Sequence, residues 1–421
     1  MQLQTMRRVS VVALALATGG SALVWGAWYR KAPSKANQQV AATSSKVGAG
    51  SQDAGFSELA LRDVQIKVWH QALDADPTSA LVLGQLAALH AQRAREGGTF
   101  EDYVTAEKFA RQSLDKRTNR NASTAVTLVS VLLAQHRFTD AREIAAELVQ
   151  REGDVPEYRA TLGEVSMELG DYAVADSMFR SVWEQRSTLS IAPRLARWLE
   201  ISNHVSEARK LLIDSRNDAV SRRDMAKETQ AWFDMRVGDL ELRNGHDRAA
   251  EAAFAAGLKI EGNDPRLLAA MARLADSRGK YRDVIMWGER AIGLQLDPAT
   301  LGLVGDAYAK LGDQAKSDEY FQTLQVAVSM QPGAYHRAWS LYLLDHGLRV
   351  DEVLQKAEAE LRDRKDVYGY DIVAWALEKS GRHSEAKAAM AQALRLATPD
   401  PLLRRHAAII GVPISTVASI N

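Results

Sequence analysis

From residue 57 onward, apolar residues recur every three or four positions, the spacing that places them on one face of an α-helix. No stretch there shows the strict apolar–polar alternation of a half-buried strand. The helical segments also resemble one another at a fixed distance. The clearest unit is Leu162-Gly163, Gly170-Asp171-Tyr172, Ala175 and Phe179, and it returns as Val304-Gly305, Gly312-Asp313, Ser317 and Phe321. The pattern predicts an all-α chain built from repeated units.

A marker residue at the start of each second helix sets the period of these units. The markers are Ala106, Ala141, Ala175, Ala208, Ala250, Val284, Ser317, Glu352 and Ala386. Seven of their eight separations lie within one residue of 34, and the separation from Ala208 to Ala250 is 42. A period of this length is typical of helical hairpins stacked in a solenoid. We therefore predict nine hairpins, preceded by a lone helix at 57–75 and followed by another at 401–411.

Three kinds of residue predict how the hairpins pack. Each first helix carries an apolar residue followed by a usually small one, as in Val237-Gly238, which should let the two helices approach closely. Asp-Pro pairs at 76–77, 264–265, 297–298 and 400–401 mark the start of new hairpins, because proline is tolerated in the first helical turn. Glycines between the two helices predict left-handed caps at Gly170, Gly245, Gly279, Gly312, Gly347 and Gly381.

The repeated design resembles the tetratricopeptide repeat, a helix–turn–helix unit of 34 residues. The resemblance covers about residues 57–411 and implies a right-handed superhelical solenoid. The segments 76–96 and 366–377 are similar to those of uncharacterised bacterial exported tetratricopeptide-repeat proteins. The chain departs from the pattern in three places: an insertion at 95–100, a long junction at 214–227 that suggests extended helices, and Glu352 and Lys356 in the eighth hairpin.

The N-terminal 31 residues have the pattern of a membrane-targeting segment. Arg7 and Arg8 precede residues 9–29, which carry no charge, and Arg30 and Lys31 follow. Twenty-one helical residues would span roughly the ~30 Å apolar core of a bilayer. Two interpretations compete: a signal peptide cleaved after small residues ending at Ala22, or an uncleaved transmembrane helix. The aromatic residues Trp25, Trp28 and Tyr29 at the far end favour the uncleaved anchor, because such residues lie at membrane interfaces.

The targeting segment also predicts where the chain resides. A short N-terminal tail followed by one apolar segment is typical of an export signal, so we expect the solenoid to face the periplasm or the exterior. The two expectations are an inner-membrane anchor with a periplasmic domain, or a periplasmic or secreted protein after cleavage. Residues 32–56 are rich in Ala, Ser, Gln and Gly and predict a disordered linker. The solenoid then spans 57–411, and residues 412–421 form a C-terminal tail.

Composition excludes several classes of function. The 421 residues contain 53 Lys and Arg, 53 Asp and Glu, and no cysteine. A nucleic-acid-binding protein usually needs a basic surplus to displace counterions from phosphates, so we predict no nucleic-acid partner. The absence of cysteine excludes disulfides, thiolate nucleophiles and thiolate-bound metals. No phosphate-binding, dinucleotide-binding, serine-hydrolase or zinc-protease motif is present, and no two histidines lie four residues apart. We predict no cofactor, no metal and no small-molecule substrate.

The family resemblance implies a protein-binding groove along the first helices. The groove-facing phase, one position after the small residue, contains Gln85, Ser130, Glu164, Arg197, Asp239, Arg273, Asp306, Leu341 and Trp375. The alternating charges suit a partner of mixed charge, or are simply solvated. The Asn and Lys set with which chaperone-binding relatives hold a C-terminal carboxylate is missing at this phase. Leu341 and Trp375 make the C-terminal end the candidate hot spot, because Trp anchors often dominate binding.

Three functions follow from these patterns. The first is a non-enzymatic protein–protein interaction scaffold, tethered at the membrane and organising a cell-envelope complex. The alternative is a soluble periplasmic chaperone-like binder of exported or unfolded chains. The third is an enzyme built on a helical toroid, which the lack of any catalytic motif disfavours, because sites and not folds carry function.

Overall fold

The computed structural model describes residues 12–16, 21–25, 58–96, 99–153, 155–329 and 337–414 of the chain. Within these ranges, twenty α-helices form nine hairpins with one lone helix at each end, as predicted. The helices are α1 (Glu58–Ala75), α2 (Ala80–Arg95), α3 (Phe100–Lys116), α4 (Ala122–Ala134), α5 (Phe138–Arg151), α6 (Pro156–Leu169), α7 (Tyr172–Ser181), α8 (Ala192–Ile201), α9 (Val205–Ser221), α10 (Lys227–Arg243), α11 (Asp247–Ile260), α12 (Pro265–Ser277), α13 (Tyr281–Leu294), α14 (Pro298–Lys310), α15 (Gln314–Ser329), α16 (Arg337–Asp345), α17 (Val350–Glu360), α18 (Val367–Lys379), α19 (His383–Ala393) and α20 (Pro401–Ile410).

The described part of the N-terminal segment differs from the predicted apolar helix. Strand β1 (Val12–Leu16) pairs antiparallel with β2 (Ser21–Trp25), and Val12 lies opposite Trp25. The physical reason lies in the sequence, because Gly19-Gly20 lowers helix propensity between two runs that contain β-branched valines. In the portion of the chain that the structure describes, no helix combines the length and apolarity needed to cross a bilayer. The predicted linker, 32–56, lies outside the described residues.

Small residues allow the two helices of a hairpin to pack closely, as the sequence predicts. A Cβ atom added at Gly238 would come within 2.3 Å of the Phe254 ring, and one added at Gly305 within 2.9 Å of the Phe321 ring. Phe254 is fully buried and Phe321 nearly so. The first helix therefore accommodates the aromatic side chain of its own second helix in the space that a larger residue would fill. This pairing of a glycine with a phenylalanine is repeated at Gly163 and Phe179.

The predicted glycine caps are confirmed, and three of the four Asp-Pro pairs begin a helix as predicted. All six predicted hairpin glycines adopt positive φ angles, between 65° and 86°. Asp264, Asp297 and Asp400 accept hydrogen bonds from backbone N–H groups of the helix that follows, with proline in its first turn. Asp76 does not cap a helix, and its carboxylate instead accepts from Thr78. Ser79 caps α2 because the helix begins three residues after Pro77.

The long fourth-to-fifth junction arises from extended helices. Helices α9 and α10 each contain 17 residues and are joined by residues 222–226. The eighth hairpin, which departs from the repeat pattern, is the shortest, because α16 has 9 residues and α17 has 11. Buried apolar clusters connect consecutive hairpins along the array, so each hairpin completes its core with its neighbours.

Contacts between hairpins that are distant in sequence join successive parts of the superhelix. The N–H of Lys365 donates to the carbonyl of Leu169 at 2.8 Å, and the N–H of Val367 donates to the Tyr172 hydroxyl at 2.8 Å. Thr398 donates to the carbonyl of Ile201 at 2.7 Å. The C-terminal hairpin is thereby held against the third and fourth hairpins. The 34-residue period does not encode these contacts.

Candidate functional site

The first helices of the hairpins, which are the even-numbered helices α2 to α18, line the inner side of the array. Consecutive first helices contact one another in most neighbouring hairpins, whereas consecutive second helices lie farther apart. In a curved stack, the closer set of helices occupies the inside of the curve. The residues predicted to line the groove lie on these first helices.

The structure divides the predicted groove residues into an accessible set and a buried set. Gln85, Arg273 and Asp306 are exposed, and Leu341 is half-buried. The remaining five are buried, namely Ser130, Glu164, Arg197, Asp239 and Trp375. Ser130 donates to the carbonyl of Val126 in its own helix. The accessible charges of this set, Arg273 and Asp306, therefore lie in the later part of the array, and the accessible Gln85 near its beginning is uncharged.

Ion pairs connect one first helix to the next on this inner side. The guanidinium of Arg194 on α8 donates to Glu164 on α6 at 2.9 Å. Arg273 on α12 pairs with Asp239 on α10 at 2.9 Å, and Arg337 on α16 pairs with Asp371 on α18 at 2.8 Å. Of the alternating charges predicted from sequence, Glu164, Asp239 and Arg273 are thus paired between repeats, so part of this charge is neutralised within the protein.

Glu200 is the carboxylate at which two arginines meet. Arg197 in the same helix donates to Glu200 at 3.0 Å, and Arg243 on α10 donates to it at 3.1 Å. Burial alone would raise the pKa of the Glu200 carboxyl, but the Arg243 and Arg197 charges lower it to about 2. Glu200 is therefore ionised throughout the neutral pH range. Arg197 also donates to the Tyr368 hydroxyl at 2.8 Å.

Arg236 belongs to the same group of charges, and the carboxylates of Glu200 and Asp239 attract its guanidinium. It lies on α10 three residues before Asp239 and seven before Arg243, so the three side chains share one face of the helix. It is 2% exposed. Burial, together with the neighbouring charges of Arg243 and Arg197, lowers the pKa of Arg236 to about 10, so the guanidinium stays protonated at neutral pH. We call Arg194, Arg197, Arg236, Arg243, Glu164, Glu200 and Asp239 the inner charged cluster.

Sequence reasoning identified three members of the inner charged cluster and missed four. Glu164, Arg197 and Asp239 were predicted. Arg194, Glu200, Arg236 and Arg243 each lie three or four residues from a predicted position, which is one helical turn. A search extended by one turn in each direction along the first helices would have found them.

Trp375, predicted as a binding anchor, lies inside the C-terminal core. Its ring stacks on His406 at 4.4 Å between centroids, and its indole N–H donates to Asp345 at 2.8 Å. His406 in turn is paired with Asp371 at 2.7 Å. Trp375 is 4% exposed, so in this structure it stabilises the last hairpin and is not accessible to a partner.

Among the described residues, no three His, Asp or Glu side chains converge in the way a metal ion requires. The buried His406 and Asp371 pair is covered by Trp375. The inner charged cluster consists of arginines and carboxylates, side chains that recognise a ligand by charge and hydrogen bonding.

Comparison with known proteins supports the repeat assignment. The sequence model of the tetratricopeptide repeat matches residues 369–399, which cover most of α18 and all of α19. No curated protein matches the chain. The last hairpin is thus a tetratricopeptide repeat, and the nine described hairpins form a tetratricopeptide-like solenoid.

Solved structures of similar architecture come from bacteria and human. PilF of Pseudomonas aeruginosa is similar over 51% of this chain and 93% of its own, with 16% identity and a TM-score of 0.38. A tetratricopeptide repeat protein from Parabacteroides merdae is similar over 65% and 99%, with 11% identity and a TM-score of 0.44. The human IFIT1 dimer with PPP-AAAA is similar over 86% and 90%, with 14% identity and a TM-score of 0.46.

Proposed function

We propose that this chain is a non-enzymatic protein-binding scaffold whose inner face receives a partner of mixed charge. The observation that carries the proposal is the inner face itself, where first helices from successive hairpins present both signs of charge. Gln85, Arg273 and Asp306 are accessible there, and the inner charged cluster lies between them. Solenoids of stacked hairpins use such extended concave surfaces for binding.

The proposal includes a membrane tether facing the periplasm or the exterior. It rests on sequence: residues 9–29 carry no charge and are flanked by arginines and lysine. A two-stranded sheet leaves backbone groups unpaired, and a bilayer core cannot satisfy them. If the tether is correct, the residues of β1 and β2 must therefore be helical when they are in a membrane. Such a tether would place the scaffold in a cell-envelope complex.

Co-purification tests the scaffold. The full-length chain is cross-linked in its native membrane, solubilised in detergent and purified beside a variant with reversed inner charges, Arg273→Glu and Asp306→Arg. The proposal predicts defined partner proteins that are recovered with the native chain and depleted with the variant. Equal recovery from both chains, or no partner above background after cross-linking, would contradict it.

The alternative, a soluble periplasmic chaperone-like binder, requires removal of the targeting segment near Ala22. The intact mass of the mature protein, together with its distribution between membrane and soluble fractions, separates the two functions. A mass that includes Met1–Ala22 and retention in the membrane support the tether. A truncated, soluble protein supports the chaperone-like binder and refutes the tether.

A further inference from the structure

Both strands of the N-terminal segment lie on the inner side of the array. Strand β2 contacts α2 and α4, and strand β1 contacts α4, α6 and α8. All four helices are first helices, so the strand pair lies along the inner side of the first four hairpins. Part of the surface that the proposed function assigns to a partner is therefore occupied by a segment of the same chain.

Helix α4, which contacts both strands, is buried on every side. Its residues from Thr124 to Leu133 are all buried, although the first helix of a two-layer array has one side that faces the groove. The later first helix α14 keeps such an open side, because only part of its residues are buried and Asp306 is exposed. The contacts of β1 and β2 with α4 explain why its groove side is covered.

The groove side of α4 carries no charge. The helix contains no Asp, Glu, Lys or Arg. The hydroxyl of Ser130 donates to the carbonyl of Val126, and the hydroxyl of Thr127 likewise donates to a carbonyl of its own helix. This surface therefore offers apolar atoms and hydroxyls that are already satisfied, which suit an uncharged segment better than a charged one. Residues 9–29, which include both strands, carry no charge.

The distribution of charge explains why the strands lie on the first four hairpins. On α6 and α8, which β1 contacts, the charges pair with one another, as in the ion pair between Arg194 and Glu164. Arg273 on α12 and Asp306 on α14 occupy the same phase of the repeat as Ser130, and both are exposed. An uncharged segment placed over those later helices would remove exposed charges from water, which is costly.

Residues in a membrane cannot lie on α4 at the same time. A two-stranded sheet leaves backbone groups unpaired, and a bilayer core does not satisfy them, so insertion requires the residues of β1 and β2 to become helical. We infer that β1 and β2 are an intramolecular ligand of the inner side of the first four hairpins, and that insertion into a membrane removes them and frees this surface. The inference rests on the proposed membrane tether and adds a regulation to it, because the freed surface is available to partners only where the chain is anchored.

The accessibility of one introduced thiol tests the inference. The chain has no cysteine, so Ser130→Cys places a single thiol on the groove side of α4. Ser317→Cys is the matched control, because Ser317 is a fully buried serine on the second helix α15. Both full-length chains are labelled with a maleimide in detergent-free buffer, and again after reconstitution into vesicles of phosphatidylethanolamine and phosphatidylglycerol.

The labelling rates have defined expectations. The Ser130→Cys chain should react slowly in buffer and faster by about tenfold or more in vesicles, because departure of the strands exposes a buried thiol. The Ser317→Cys chain should react slowly in both. Equal rates for Ser130→Cys in buffer and vesicles, whether slow or fast, would overturn the inference. A rise at both positions would show general loosening of the fold and would also overturn it.

Charges introduced into β2 test the strand contact without a membrane. Leu23→Glu combined with Val24→Glu places a carboxylate on each face of the strand, because successive residues of a strand point to opposite sides. One carboxylate then faces the uncharged surface of α4, so labelling of the Ser130→Cys chain in buffer should accelerate by about fivefold or more. Gln38→Glu combined with Gln39→Glu adds the same charge outside the strands and should leave the rate unchanged. An unchanged rate in the Leu23→Glu, Val24→Glu chain would overturn the inference.

Flotation of the vesicles separates failure of the inference from failure of the proposed function. If the chain floats with the vesicles and the thiol at position 130 stays protected, the tether stands and the inference is overturned. If the chain does not float, the tether is refuted, and release by membrane insertion is refuted with it.

Discussion

The guanidinium of Arg197 donates a hydrogen bond of 2.8 Å to the phenol of Tyr368, which lies 171 residues further along the chain. Arg197 is on α8 in the fourth hairpin, and Tyr368 is on α18 in the ninth. The contact therefore has two consequences for the structure. It joins the C-terminal hairpin to the middle of the array, and it holds one arginine of the inner charged cluster in position.

Removal of the Tyr368 hydroxyl tests that contact. Tyr368→Phe leaves a buried Arg197 donor without its acceptor, so we expect the free energy of unfolding to fall by about 1–3 kcal/mol. Tyr370→Phe is the control, because no hydrogen bond from the Tyr370 hydroxyl joins it to the described residues, and it should change stability by less than about 0.5 kcal/mol. Urea unfolding of both variants measures the difference. Equal effects at the two positions would show that the Arg197 contact contributes nothing.

A glycine variant tests the contact between the third and ninth hairpins, in which the N–H of Lys365 donates to the carbonyl of Leu169. Gly170 has a φ of 78°, and a Cβ added there would come within 2.3 Å of the Lys365 carbonyl. Gly245 has a φ of 75° with nothing within 4 Å of that added atom. Both alanine variants place a Cβ on a residue with positive φ, which costs about 1–2 kcal/mol of stability. Gly170→Ala should lower the free energy of unfolding more than Gly245→Ala does, because its added Cβ also displaces residues 365–367.

Small-angle X-ray scattering measures whether displacement of residues 365–367 makes the array less compact. Gly170→Ala should increase the radius of gyration of the array, and Gly245→Ala should not. If the two variants are equally stable and equally compact, the contact between Leu169 and Lys365 does not hold the superhelix together.

The carboxyl of Glu168, next to Leu169 in this contact, makes the stability of the folded chain depend on pH. Burial raises its pKa from the ordinary 4.5 to about 7, although Arg364 at 3.6 Å lowers it in part. A carboxyl with a raised folded-state pKa binds its proton more tightly in the folded protein. Its contribution to stability is therefore present at low pH and is lost as pH rises from about 4.5 to about 7.

Replacement of Glu168 by glutamine tests this pH dependence. Glu168→Gln stays uncharged, so the Tm of the variant relative to the native chain should rise between pH 5 and pH 8. Glu147→Gln changes a carboxylate whose side chain is 54% exposed, and its difference from the native chain should stay flat over that range. Parallel curves for Glu168→Gln and the native chain would show that Glu168 does not titrate in this window.

The repeat architecture was predictable because its determinants are local. The small residue before Asp239 admits the Phe254 ring, and the glycine at 170 supplies the positive φ that ends a helix. Both residue types recur every 34 positions, so hairpin number and helix order follow from the period. The pair Asp76-Pro77 was predicted to begin the first hairpin, but α2 begins three residues after Pro77, where Ser79 caps it.

The candidate site was only partly predictable. The repeat pattern located Glu164, Arg197 and Asp239, because the residue that follows the small residue of each first helix faces the inner side of the array. It could not show that Arg197 donates to the hydroxyl of Tyr368, because this contact joins hairpins that are distant in sequence. Burial of Trp375 likewise depends on His406 in the lone final helix, where the repeat pattern has ended.

Site-specific photocross-linking tests the central claim most directly. A photoreactive amino acid is placed in the full-length chain at Gln85 or Asp306 on first helices, and at Lys210 on the second helix α9 as an exposed control. The chains are irradiated in the cells that express them, and cross-linked proteins are identified by mass spectrometry. A binding scaffold predicts the same partner proteins from Gln85 and Asp306 and none of them from Lys210. Cross-links that arise equally from Lys210, or that are absent from both inner positions, would contradict the claim that the inner face binds protein.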